Sequence, residues 1–432
     1  MPSFKKTVSD RAQKEFADAL SEAESLLDKL PEVLAARLKK EIHELRTLVV
    51  EHRHPRFALV GRRGSGKSSL INAIFGEKVS EVGHEKAMTG RGVWREYEGK
   101  LGTIDLLDTR GLQEGSTPDE DDAAETPEAS VAKAIREKGP DAFLFIVKAT
   151  EVDAAIDGDL DGLAHAMKEA KAAHGYVPPV FGVVTHCDQV EPQDVYLHTD
   201  ESDEDERTEK LERIRRIEHQ LDAKLHARDE IRDHVISVMG VSAYQSWKTD
   251  GTLRSDRRWR IEQLVTTLEE ELPNEAKVEL ARMAQIRHIQ RKVSGRVAQS
   301  CAVVCGGIAA TPVPVADIGP ITAVQVGMVT AIAYIAGRRM SVETAGEFLA
   351  ALGVNVGAGF AFRELARGLV KMIPVAGNAV SAAVSYGATL GLGKTAIAHY
   401  VDDLPRGQLQ TYLKEQQKEA QDSYGAPTTQ AA

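Results

Sequence analysis

The sequence predicts an α/β fold: a mostly parallel six-stranded sheet, with helices before it and an all-α, Gly/Ala-rich domain after it. Three observations predict this. Short apolar runs alternate with helical segments from Phe57 to Leu272, the pattern of a parallel sheet with crossover helices. Gly61-Arg62-Arg63-Gly64-Ser65-Gly66-Lys67-Ser68 fits G-x-x-x-x-G-K-[ST] between an apolar strand and a helix. Beyond residue 296, charge almost disappears.

Residues 1–54 carry apolar positions at helical spacing from Ala12 to Leu30 and from Val33 to Val50, and Pro31 divides them into two helices. They read as a brace packed on another domain. Strands are expected at 57–60, 93–98, 102–107, 142–148, 180–185 and 235–239, which places a sheet domain at 55–272. Residues 273–296 form a basic connecting helix with Arg282, Arg287, Arg291, Lys292 and Arg296. Residues 297–402 form a hydrophobic helical domain, and 403–432 a polar helix with a disordered tail.

The loop at 61–68 is where the chemistry begins. A phosphate needs convergent donors, and successive backbone N–H groups at a helix N-terminus provide them. Gly64 and Gly66 allow positive φ and close approach. Lys67 would reach the β- and γ-phosphates, and the Ser68 hydroxyl would hold Mg²⁺. Three further motifs end apolar strands, where ligands bind in such sheets. They are Asp108-Thr109-Arg110-Gly111, Thr185-His186-Cys187-Asp188 and Val241-Ser242-Ala243.

In this order the motifs resemble the small GTPase superfamily, nearest its Era/TrmE-like branch, over roughly residues 55–272. The resemblance implies a P-loop GTPase domain with GTP/GDP as ligand and Mg²⁺ as cofactor. It implies nucleotide binding by Gly61, Arg63, Gly64, Ser65, Gly66, Lys67, Ser68 and Ser69 at the phosphates, and by Thr185, His186, Asp188, Ser242 and Ala243 at guanine. Ser68, Thr89 and Asp108 would serve the metal, and Lys67, Thr89 and Gly111 the reacting γ-phosphate. His186 stands where the family usually has Lys, and Leu112 where many members have a water-orienting Gln. Gly64 replaces the Asn of potassium-stimulated relatives. Slow basal turnover is therefore expected. Arg62 and Arg63 either supply transition-state charge or face solvent or a partner.

Composition bounds the partners. The net charge of −11 argues against nucleic acid. Three cysteines, Cys187, Cys301 and Cys305, give no disulfide framework, so a reducing compartment is expected. The N-terminus has no apolar signal region. Acidic runs at Pro118–Glu128 and Thr199–Asp205 read as solvated inserts.

Val297–Ala316, Ile318–Gly337 and Met372–Gly393 are uncharged, and fifteen of the 35 glycines fall within 295–400. Pro314-Val315-Ala316 recurs as Pro374-Val375-Ala376, by duplication of a hairpin or by chance. These segments resemble the YcjF-like domain of unknown function, which implies association with a membrane through residues 297–400. Small residues suit membrane helices and equally suit a soluble bundle with a small-residue core. The expectation is a cytoplasmic chain at the inner face of a membrane, meeting lipid or a membrane protein, with self-association across its nucleotide face as a further contact.

Overall fold

The structure, a computed structural model, describes residues 3–78, 80–82, 94–108, 127–153, 156–199, 203–310, 318–353 and 382–424. It divides into two compact units, residues 54–273 and a helical unit built from 1–53 and 274–432.

The first unit is built on one seven-stranded sheet in the order β2-β3-β4-β1-β5-β6-β7. The six expected strands are all present: β1 (Arg56–Val60), β3 (Trp94–Glu98), β4 (Thr103–Asp108), β5 (Ala142–Lys148), β6 (Val180–Thr185) and β7 (Val235–Gly240). A short edge strand, β2 (Ser80–Val82), pairs antiparallel with β3 and makes the seventh. β4, β1, β5, β6 and β7 run parallel. The central strands are buried throughout, as strands covered on both faces must be.

Side-chain alternation then divides β1 between two layers. Ala58 and Val60 join Leu107, Phe143, Phe145 and Val147 in one core. This core is completed by α4 (Pro127–Glu137), α5 (Asp157–His174) and α6 (Glu204–His226). Leu59 and Leu106 face the other way, beside Ile71 of α3 (Lys67–Phe75). α7 (Ile261–Glu271) packs against α3. A small hairpin, β8 (Gln245–Trp247) and β9 (Leu253–Asp256), follows β7. The acidic run near residue 200 has an ordered role among its described residues. The Asp203 carboxylate caps α6, accepting from Asp205 N at 3.0 Å and Glu206 N at 3.4 Å.

The helical unit draws on both ends of the chain: α1 (Ser3–Ser25) and α2 (Glu32–Leu45) with α8 (Asn274–Ala284), α9 (Arg287–Ala309), α10 (Ile318–Ile335), α11 (Val342–Ala351), α12 (Ala382–Tyr400) and α13 (Leu409–Asp422). The chain leaves and re-enters this unit at neighbouring points, with Arg53 N donating to Glu275 O at 2.7 Å. α9 runs unbroken through residues 296 and 297. A left-handed Gln285 separates it from α8.

Ala12, Phe16, Ala19, Leu20 and Ala23 recur at helical spacing along α1 and are all buried. Their seat is made by glycine: a Cβ at Gly327 of α10 would overlap the Phe16 ring, and one at Gly307 of α9 would overlap Leu38 of α2. A Cβ at Gly391 of α12 would lie 2.5 Å from Gln417 of α13. The glycines therefore accept other helices of the same unit. The basic start of α9 is likewise matched within it, Arg287 pairing with Asp403 at 2.7 Å and Arg291 with Asp402 at 2.6 Å. Cys301 and Cys305 are free thiols buried in the core, and burial pushes the Cys305 thiol up to about 12. Among the described residues no helix is long and apolar enough to cross a membrane. The Pro-Val-Ala echo lies outside the described residues.

Truncating Phe16 removes a fully buried ring whose seat cannot close. Phe16→Ala should destabilise the helical unit by about 3–5 kcal/mol, measured as a lowered midpoint in urea unfolding. A loss below about 1 kcal/mol would mean that α1 is not seated there in solution.

Candidate nucleotide site

The strand-to-helix turn between β1 and α3 is held by three left-handed glycines. Gly61 has φ 148°, Gly64 82° and Gly66 89°. Gly61 and Gly66 are also sterically fixed. A Cβ at 61 would strike the Ile146 carbonyl oxygen, and one at 66 would lie 3.0 Å from His186 Cε1. Gly66 is the N-cap of α3 and offers no side-chain cap, so the first N–H groups of that helix stay open to an anion. Ser65 is 1% exposed, and among the described residues its Oγ has no hydrogen-bond partner. A buried hydroxyl without a partner is costly, and a phosphate oxygen in this loop would supply the acceptor.

Lys67 is buried and points back into the loop, with Nζ donating to Gly61 O and, at 2.8 Å, to Arg62 O. Its Nζ is 4.0 Å from Asp108 Oδ1 at the end of β4. Ser68 and Ser69 are exposed at the start of α3. A cleft of about 100 Å³ runs beside them, lined among others by Lys67, Ser68 and Asp108, and also by Lys78, Arg95 and Tyr97. The last three carry no local motif and were not expected from sequence. Arg95 and Tyr97 alternate along β3 onto the face that carries Asp108. The Ser68 hydroxyl and Asp108 carboxylate are hard oxygen donors, and magnesium prefers such ligands together with waters and phosphates. The donor set fits that ion. Thr89 and Gly111 lie outside the described residues.

The base-side motifs meet this loop directly. Thr185, the last residue of β6, donates from Oγ1 to Ser65 O at 2.6 Å. His186 adopts φ 58°, its Nδ1 2.9 Å from Thr185 Oγ1. Burial pushes the imidazole below its ordinary 6.5; Asp188 opposes this and Lys148 reinforces it. The half-buried Asp188 accepts from Ser242 Oγ at 3.0 Å. Ser242 is fully buried, and its backbone exchanges hydrogen bonds with Trp259, at 3.1 and 3.0 Å. Ala243 follows, nearly buried. Phosphate loop, acid-bearing strand end and base loops thus converge on one end of the sheet.

Sequence reasoning missed the supports. Lys210 of α6 is fully buried and donates to the carbonyls of Asp188, Pro192 and Val195. Arg258 donates to Ala73 O at 2.8 Å, closing the C-terminal end of α3. Arg62 donates from Nε to Asp159 Oδ2 of α5 at 2.9 Å; burial raises the Asp159 carboxyl and the guanidinium offsets part of that rise. Arg63 is exposed. One other grouping of metal-binding side chains exists among the described residues: His54, Glu96 and Asp105. There Lys138 already places its ammonium on Asp105, so the chain supplies the cation itself.

The fold of residues 54–273 is that of a P-loop GTPase domain. Residues 56–177 match the family described as 50S ribosome-binding GTPase. GTPase Der of Bacteroides fragilis is 32% identical over 123 residues, which is 28% of this chain and 26% of that protein. GTPase Der of Clostridium novyi is 29% identical over 144 residues, 33% of this chain and 30% of that one. The chain spans about a quarter of the length of the first of these curated relatives. Among solved structures, Era in complex with MgGDPNP and a 16S ribosomal RNA segment aligns at TM-score 0.29 and 18% identity, over 59% of this chain and 68% of that one. A structure of an oligomerised bacterial dynamin pair aligns at TM-score 0.31 and 11% identity, over 97% and 73%. Neither alignment bears on what this chain does.

Two outcomes follow from the geometry. Lys67→Ala removes the ammonium from the loop and should abolish nucleotide binding while leaving the domain folded. Titration with a fluorescent GTP analogue checks this, and near-normal affinity would remove the assignment. Next, the folded state resists protonating His186, so its unfolded form takes up a proton first as pH falls. Its contribution to stability is present above pH 6.5 and is lost below it. Unfolding midpoints from pH 8 to 5 should fall more steeply for the unmodified chain than for His186→Gln.

Proposed function

We propose that this chain is a Mg²⁺-dependent GTPase whose nucleotide state controls its helical unit. One observation carries the reading: Asp188, oriented by Ser242 Oγ at 3.0 Å, stands on the loop that Thr185 joins to the phosphate cradle. A carboxylate there accepts from guanine N1 and N2, donors that adenine lacks. Lys67 stabilises charge developing on the β–γ bridge. Ser68, Thr89 and Asp108 would hold the metal, which would supply positive charge to the phosphate oxygens. The Gly111 N–H senses the γ-phosphate, and water is the nucleophile. With Leu112 after the D-x-x-G sequence, that water has no glutamine to orient it, so basal turnover is slow.

The helical unit is proposed as the responding part, acting at the cytoplasmic face of a membrane through residues 297–400. A mechanical reading, in which helices from both chain ends form a stalk that remodels lipid, is favoured by one observation: 1–53 and 274–432 make a single unit.

Competition binding should show GTP preferred to ATP by up to ~10⁴-fold; equal affinity would replace the guanine assignment with an ATPase. Unassisted hydrolysis should run at roughly 10⁻⁴ to 10⁻³ per second, and a supplied charge adds ~10³–10⁵-fold. Single-turnover rates measured against protein concentration, with and without liposomes, test this. A fast rate independent of both would show that the domain is complete by itself. Stimulation by liposomes alone would favour the membrane readings over a soluble switch.

A further inference from the structure

Lys210 is 0% exposed on α6, in a domain whose other lysines largely reach solvent or the phosphate loop. Its Nζ donates to Asp188 O at 3.0 Å and to Pro192 O and Val195 O at 2.9 Å each. An ammonium has three donors and no acceptor, so all three are used on one loop. Burial pulls its pKa down, and the neighbouring Asp188 carboxylate opposes this.

The carbonyls tie residues 188, 192 and 195 to one point. Nearby, Val190, Val195 and Leu197 are buried, while Arg207, three residues earlier on α6, reaches Leu197 O and Thr199 O. Asp188 is therefore held twice, by Ser242 at its carboxylate and by Lys210 at its own carbonyl. The loop between β6 and α6 is long and has little regular structure, and it must present one carboxylate in a fixed place. A buried ammonium is an expensive way to staple a loop. What it provides is a backbone fixed before any ligand arrives, which lowers the ordering cost of binding.

We infer that Lys210 is a positioning residue for base selection, setting the Asp188 carboxylate for guanine by fixing the carbonyls of Asp188, Pro192 and Val195. This rests on the guanine-nucleotide reading above. The effect should fall on the base contacts and spare the phosphate contacts, because Lys210 does not touch the phosphate loop.

The test uses the full chain and its Lys210→Met variant, which keeps the side-chain length and removes the donors. Competition against a fluorescent GDP analogue gives affinities for GDP and ADP. In the variant GDP should weaken by about 10–100-fold, as when the outer partner of a ligand-holding group is removed. ADP, held by its phosphates, should change less than threefold, so the guanine-to-adenine ratio collapses. A folded variant that keeps the ratio overturns the inference and leaves the GTPase reading intact. No guanine preference in the unmodified chain overturns both. Hydrogen exchange on the unmodified chain gives a second measurement that does not depend on the variant folding. Backbone amides of 187–196 should be protected equally with and without GDP. Protection that appears only with GDP overturns the inference.

Discussion

A single ligand can meet the loop after β1 and the loop after β6 together only if the distance between them is fixed. Here that distance is set by the hydrogen bond from Thr185 Oγ1 to Ser65 O, at 2.6 Å between residues 120 apart in sequence. The strand order makes the bond possible. β5 lies between β1 and β6, so the loops leaving β1 and β6 emerge at the same end of the sheet, flanking the end of β5. The same Thr185 hydroxyl lies 3.4 Å from Val147 O on that middle strand. Both loops must also come close together. Gly66 admits the His186 ring, and Gly61 admits the Ile146 carbonyl. A side chain at either glycine would push the loops apart and leave Ser65 O unpaired in a buried place, at a cost of about 1–3 kcal/mol.

The helical unit follows a different rule. Its glycines and alanines leave α9, α10 and α12 nearly smooth, and larger side chains from elsewhere in the chain fill the space. Phe16 enters at Gly327 and Leu38 at Gly307. Some of the polar groups left inside are paired, Gln325 Nε2 with Thr389 Oγ1 at 2.8 Å and Gln290 with Ile335 O at 3.0 Å, whereas Ser294 Oγ and Gln325 Oε1 meet no partner among the described residues. Close packing of this kind gains dispersion contacts that a lipid-facing surface would not need. Gly307, Gly327 and Gly391 are used for contact within the unit, whatever further surface it presents.

The parts legible in the sequence are those whose chemistry is local. Six strands, the glycine loop, Asp108 at the end of β4 and the base motifs at the ends of β6 and β7 are each written in a few consecutive residues, because a turn, a cap or an alternating strand is a short-range object. Partners set by the tertiary fold were not legible. Lys210, Arg258 and Asp159 sit in helices or hairpins with no motif around them, and their roles exist only once α5, α6 and the segment after β9 have folded onto the sheet. The glycine-rich runs show the same limit. A glycine spacing read alone fits a membrane helix, a ligand approach or a helix crossing equally well. Only the position of Phe16, more than 300 residues earlier in the chain, tells which one Gly327 serves. The seventh strand, β2, has three residues, too few to carry an alternation.

His186 is the departure from the family pattern that the geometry explains best. A lysine at that position would bring a second ammonium toward a loop that already holds Lys67 and Arg62, with Lys148 nearby. The tasks a lysine would combine are divided among three groups here. The Thr185 hydroxyl makes the bond to the phosphate loop, the His186 ring lies against Gly66, and the Lys210 ammonium anchors the loop after β6 through its carbonyls. Burial and Lys148 both favour the neutral ring. The imidazole therefore fills the space without adding positive charge, and Lys67 remains the cation that points into the loop. The Asp188 carboxylate accepts from Ser242 Oγ, while the neighbouring Lys210 ammonium is turned to its backbone carbonyl instead.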